Sequence, residues 1–164
     1  MSDIGSGELN RIMTDDRLQT LVARHQSTDR THDIPYLAGY SNDGVRLYLD
    51  RNIPEIISGE HNGSKFAVDP ERFLILRAQW EKALMDGQRV SWTYAHRVAT
   101  SIERRAMLAS GASWSGYEKA LKAYEKDKAQ ISRVPADLDL APYQSPLSVD
   151  LYAHLQSLTK SVAR

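Results

Sequence analysis

Residues 69–71 read Asp-Pro-Glu, and the spacing of apolar side chains changes across them. Upstream, Val45, Leu47 and Leu49 alternate with Arg46, Tyr48 and Asp50. That period of two marks a strand with one buried face. Downstream, Phe73, Trp80 and Leu84 recur at helical spacing, with Arg77 and Glu81 on the same face. The tripeptide is itself a helix start: Asp can cap, Pro is tolerated at the first helical position, and Glu suits the positive end of the helix dipole. A strand-type region followed by a helix-type region implies an α+β fold, with a small antiparallel β-hairpin sheet packed with four to five α-helices.

The remaining elements follow from local chemistry. Segments 36–41 and 45–50 flank Asn42-Asp43-Gly44, which can supply the left-handed residues of a tight hairpin. Ile56 and Ile57 lead into Gly59-Glu60-His61-Asn62-Gly63, read as a second turn, and 64–68 is a candidate third strand of the same sheet. Near the N-terminus, Leu9, Ile12 and Met13 begin a helical stripe. Thr14-Asp15-Asp16 interrupts it with cap-type residues, and Leu18, Leu21, Val22 and His25 resume it. Residues 26–33 are polar and read as a loop. Helices are expected over 70–86 with Gly87 as the stop, over 92–109 behind Ser91, and over 114–130 behind Ser113. Pro135, Pro142 and Pro146 keep 133–146 extended, and a last amphipathic helix is expected over 147–162. The chain divides into an N-terminal helical segment (1–32), an α+β core (33–130), and a proline-containing arm with a C-terminal helix (131–164), within one domain overall.

Composition limits the chemistry. Lys plus Arg and Asp plus Glu are equal at 21 each, so no global positive field holds nucleic acid. Cysteine is absent, which excludes disulfides, thiolate zinc fingers and thiol nucleophiles. No run of about 18 apolar residues occurs to span a membrane. Residues 1–10 lack the basic-then-apolar order of a secretory signal, so export by that route is not expected.

Arg77, Glu81, His96 and Glu103 fall on two successive helices, where packing can bring them together. Two readings compete. Glu81, His96 and Glu103 are residue types that ligate zinc, and helical spacing can converge them on a metal or an acid/base centre. Alternatively the four form an ion-pair network, with Arg77 bonded to Glu81 and Glu103 and His96 donating to a carboxylate or a carbonyl. The network is favoured, because Arg77 is a permanent cation that repels a metal ion and cannot lose its proton. On that reading neither a catalytic residue nor a cofactor is assigned.

The stretches 33–41, 48–51, 73–84, Tyr94-Ala95-His96-Arg97-Val98-Ala99-Thr100, Trp114-Ser115-Gly116-Tyr117 and 133–140 resemble, in the same order, a family of small bacteriophage and prophage proteins. The resemblance covers roughly 33–143. Many members of that family carry His-Glu-x-x-Glu on the first helix and Ala-His with a downstream Glu on the second, similar to zinc peptidases. On this pattern Glu81 matches the second Glu, His96 the His, and Glu103 the downstream acid. Arg77 stands where the first His would be, and Ala78 where the water-activating Glu would be. The resemblance therefore implies a peptidase-like fold with a degenerate site. It implies a non-enzymatic phage or prophage protein, in the virion or the host cytoplasm, as a virion structural or assembly component. Its partners would be other phage proteins, copies of itself or a host protein.

The alternatives are a metal-dependent hydrolase, an inhibitor of a host defence, and a nucleic-acid accessory protein contacting phosphates through Arg97, Arg104 and Arg105 beside Trp92 and Trp114. His25, His32, His61 and His154 are scattered and read as surface or loop residues, although His32 and Asp33 are spaced to pair. No Gly-x-Ser-x-Gly elbow and no phosphate-binding glycine loop are present. The extended arm either straps across the body or docks on a neighbouring subunit.

Overall fold

In a computed structural model, which describes residues 4–34, 36–125 and 138–140, the elements run α1 (Ser6–Met13), α2 (Asp16–Val22), β1 (Ser27–Asp29), β2 (Ala38–Tyr40), β3 (Arg46–Leu49), β4 (Ile57–His61), β5 (Ser64–Val68), α3 (Pro70–Gln88), α4 (Trp92–Ala109) and α5 (Trp114–Leu121), then a 3₁₀ turn, Lys122–Tyr124. The fold is α+β. The expected helix 147–162 and the prolines of 133–146 lie outside the described residues.

Helix starts follow the cap chemistry. Asp69 accepts from Glu71 N at 3.0 Å, Ser91 from Tyr94 N at 3.2 Å, and Ser113 from Gly116 N at 3.1 Å. Each satisfies an N–H that the first turn leaves without a helical partner. Near the N-terminus the cap residues split one expected helix into two. The Thr14 hydroxyl donates to Asn10 O at 2.8 Å at the end of α1. Asp15 then accepts from Leu18 N at 2.9 Å to open α2.

Several expectations are corrected. Residues 27–29, within the expected loop, form β1, which pairs in parallel with β3 (Ser27↔Arg46, Asp29↔Tyr48). The 1–32 segment thus supplies a strand to the sheet of β2 and β3. β2 and β3 form the expected antiparallel hairpin, with Tyr40↔Leu47 nearest the turn, and Gly44 takes the left-handed conformation at φ 74. Segment 64–68 does not join that sheet. β4 and β5 make a separate two-stranded hairpin. Gly59, Glu60 and His61 lie in β4, and the turn is Asn62-Gly63 alone, at φ 52 and 79. Two left-handed central residues are what a two-residue turn of matching twist requires.

β3 buries both faces, with Leu47, Tyr48 and Leu49 at most 1% exposed. Leu47 joins Tyr40, Ile75 and Ala78 beneath α3. Tyr48 packs with Ile34 and Leu140 on the other side. Leu138–Leu140 is therefore a strap across the sheet, and Asp139 accepts from Asn42 N at 3.1 Å.

α3 is central. Ile75 and Ala78 face the sheet, while Trp80 and Leu84 pack with α1, α2 and α4. It runs through Gly87 to Gln88, and Arg89, not glycine, takes the left-handed stop at φ 51. Gly87 serves a different purpose. A Cβ there would meet Leu18 and Leu21 of α2 at 2.8 and 2.9 Å, so glycine permits the close approach of the two helices. α5 stops at Leu121, short of the expected 130, and 126–130 lie outside the described residues.

α5 rests on the β4–β5 hairpin through Gly116. A Cβ on Gly116 would lie 2.5, 2.9 and 3.1 Å from Phe66 ring carbons. Gly116→Ala is expected to cost about 1–3 kcal/mol by overpacking. Chemical denaturation should show the cost shrinking in a Phe66→Ala background, because the two changes share one contact. Equal costs in both backgrounds would place the strain elsewhere.

Candidate functional site between two helices

α4 presents a narrow stripe, Ala95, Val98, Ala99 and Ile102, at most 1% exposed. These small side chains let α3 approach closely, and the polar residues beside the stripe meet those of α3. They meet as two separate pairs at different heights along the helices.

The first pair is Glu81 with His96. Glu81 Oε2 accepts from His96 Nδ1 at 2.9 Å. Glu81 Oε1 accepts from Trp92 Nε1 at 2.7 Å and from the Tyr40 hydroxyl at 2.9 Å. His96 stacks on Trp92, with centroids 4.7 Å apart and planes 19° from parallel. Burial opposes ionisation of Glu81, but the bond and charge of His96, the Tyr40 hydroxyl and the charge of Arg77 outweigh it, and the pKa falls below its ordinary value. Bonds to a charged acceptor contribute about 1.5–3 kcal/mol each, so three of them match a desolvation cost of several kcal/mol. Burial and the adjacent Glu81 charge push the Tyr40 hydroxyl well up.

The second pair is Glu103 with Arg77. Arg77 Nη1 lies 3.4 Å from Glu103 Oε1, with side-chain exposures of 16% and 0%. The Tyr117 hydroxyl donates to Glu103 Oε2 at 3.0 Å. Here burial prevails: despite Arg77, Tyr117 and the more distant His96, the pKa of Glu103 rises. Burial and Glu103 together drive the Tyr117 phenol far up. The two carboxylates thus shift in opposite directions. Thr100, on the same face of α4 as His96 and Glu103, has a buried hydroxyl with no hydrogen-bond partner among the described residues.

The structure brings Arg77 to Glu103 and Glu81 to His96, and it does not bring Glu81, His96 and Glu103 to one point. Among the described residues, no three His, Cys, Asp or Glu side chains are grouped to hold a metal. The residues present do not fit a zinc site of the kind the resemblance implies. Ala78, which the resemblance would set against the water-activating Glu, is buried with Tyr40, Leu47 and Ile75 against the sheet. The Glu81–His96 contact has the carboxylate–imidazole form that orients a general base. No hydroxyl is recorded against His96 among the described residues.

Sequence reasoning missed Tyr40, Trp92 and Tyr117 as partners of the carboxylates. Trp92 carried a signal, since it lies one turn before His96 on α4. Tyr40 comes from the β2–β3 hairpin, and its reach to Glu81 is legible only once the sheet packs on α3.

The remaining candidates lie elsewhere. Trp92 is turned inward and does not form a base-stacking surface. Arg97 lies over the Tyr94 ring at 5.7 Å, and Arg105 donates to Asn10 Oδ1 of α1 at 2.6 Å. Both contacts are intramolecular. His32 meets Asp29 at 3.2 Å, not its neighbour Asp33, which pairs with Arg51 at 2.8 Å. His25 contacts Ser27 O and the Thr28 hydroxyl, both at 3.0 Å. His61 ends β4, and His154 lies outside the described residues. Among the described residues, no helix is long and apolar enough to cross a membrane.

Comparison with protein-family models, with curated proteins and with solved structures gives no match.

Proposed function

We propose that the chain is a non-enzymatic protein acting through protein–protein contacts, in the setting the phage-type resemblance implies: a virion structural or assembly component whose partners are other phage proteins or further copies of itself. One observation carries this reading. Both oxygens of Glu81 are engaged by the protein's own Tyr40, Trp92 and His96. A metal ligand must offer a lone pair to the ion, and a general base must reach its substrate. Here the carboxylate instead ties the hairpin to α3 and α4. Arg77 reinforces the reading: its fixed positive charge pairs with Glu103 and also favours the ionised form of Glu81.

Light scattering on the purified protein, with pull-down against phage and host components, tests the proposal. A monomer that captures no partner overturns it. The second reading is a metal-dependent hydrolase with zinc, for which Glu81 and His96 are suitable residue types, although their mutual hydrogen bond counts against it. Elemental analysis separates the two, since a stoichiometric transition metal bound through Glu81 and His96 would establish the second. Arg77→His with Ala78→Glu rebuilds the motif in sequence. It is expected to leave zinc uptake unchanged and to lower the unfolding midpoint, because the new carboxylate at position 78 falls among Tyr40, Leu47 and Ile75. One equivalent of zinc in that variant would reverse the expectation.

A further inference from the structure

The β4–β5 hairpin has an outer edge that no further strand covers among the described residues. Among the described residues, β5 has β4 as its single strand neighbour. The two-residue turn makes His61↔Ser64 a hydrogen-bonded closing pair, and such pairs alternate along an antiparallel ladder. Ser64, Phe66 and Val68 therefore direct their backbone groups toward β4, and Lys65 and Ala67 direct theirs outward. Both residues are exposed. Beside this edge runs a cleft of about 680 Å³, walled by β5, by the first turn of α3 and by the α4–α5 turn 110–113.

The charges in the cleft favour an anionic guest. Lys65 and Arg72 line it, and no ion pair is recorded for either within the described residues; Arg72 lies over the Phe73 ring at 5.1 Å. Asp69 also lines the cleft and caps Glu71 N, so the two cations face one carboxylate and positive charge is in excess among the three. Glu60 stands opposite Lys65 in the register without forming an ion pair. A lysine on an open edge discourages pairing with a like edge and so selects for an acidic strand. We propose that this cleft binds an extended acidic peptide segment of a partner protein, added as a strand to the outer edge of β5. The five residues of β5 offer about 16 Å of edge. The guest's backbone bonds to Lys65 and Ala67, and its acidic side chains face Lys65 and Arg72. The inference deepens the protein-contact reading by naming a surface and a partner chemistry.

The probe is an acetylated, amidated six-residue peptide of alternating Asp and Thr, titrated into the full ¹⁵N-labelled chain. Amide shifts are expected at 64–68 and 110–113. The same peptide with Lys for Asp is expected to bind about tenfold more weakly. Methylating its backbone nitrogens abolishes binding. Lys65→Glu with Arg72→Glu inverts the charge preference, and Ala67→Pro, which an edge strand tolerates, removes the outward N–H and the binding with it. Absence of shifts at millimolar peptide overturns the proposal, as does equal binding of the Lys or N-methylated peptides. Inorganic phosphate that moves the same amides and displaces the peptide would instead make the cleft a simple anion site, which also overturns it. The N-methylated control uses the unaltered protein and stands even if Ala67→Pro fails to fold. A null titration alongside successful partner capture removes this cleft and leaves the protein-contact role on another surface.

Discussion

Arg77→Ala is expected to destabilise the chain by about 3–5 kcal/mol at neutral pH, the range for removing one partner of a buried ion pair. Glu103 is fully buried and Arg77 is 16% exposed, so the range of about 0–1 kcal/mol for exposed pairs does not apply. Such a loss is a large share of a typical domain stability of about 5–15 kcal/mol. The effect should depend on pH in a defined direction. The pKa of Glu103 is already raised in the folded chain, and losing Arg77 raises it further. Below its ordinary value of 4.5, Glu103 is protonated in both folded and unfolded chains, so the variant loses least there. Above that value the unfolded chain releases the proton while the folded variant retains it, and stability falls as pH rises toward neutral. Urea denaturation at acid and neutral pH reads the difference directly. Arg77→Leu with Glu103→Leu should recover much of the loss, because an apolar pair carries no uncompensated charge. A small, pH-independent loss in Arg77→Ala would mean that the guanidinium does not hold Glu103.

What was legible in the sequence was short-range. Asp69, Ser91 and Ser113 could be assigned as caps because each bonds a backbone N–H two or three residues away. β1 was not visible. Ser27, Thr28 and Asp29 have no apolar alternation, and their partners in β3 lie nineteen residues further on. The second buried face of β3 was hidden likewise, because Leu140 closes it from far along the chain.

The four site residues were found from spacing, but their grouping was not. His96 and Glu103 are seven residues apart, about 10 Å along a helix axis, while ligands of one zinc ion lie within about 2.3 Å of it. Arg77 and Glu81 are four residues apart, about 6 Å. Glu81 meets His96 at one height and Arg77 meets Glu103 at the other. The acid that the family pattern would converge on a metal is thus held a turn or more away, by Arg77 and by a tyrosine from α5.

Glu81→Ala tests the other pair, and a loss of about 3–5 kcal/mol is expected at neutral pH. Three donors lose one acceptor at once, and each orphaned buried group costs about 1–3 kcal/mol. The costs differ among the three. Tyr40 keeps a contact to Met85 Sδ at 3.4 Å. His96, with its side chain 26% exposed, can turn toward water. The Trp92 indole is 9% exposed and loses its 2.7 Å bond, so its fluorescence should report the change locally. Glu81→Gln keeps one acceptor oxygen but loses the charge, and should fall between wild type and Ala. The pH dependence has the opposite sign to that of Glu103. Folding lowers the pKa of Glu81, so its contribution is present above 4.5 and fades as pH falls through the lower folded value. The gap between wild type and Glu81→Ala should therefore be widest near neutral pH and close in acid, as read by thermal unfolding. A gap that stays constant into acid would leave only the lost volume of the side chain, and the hairpin would have to be held to α3 and α4 by apolar packing alone.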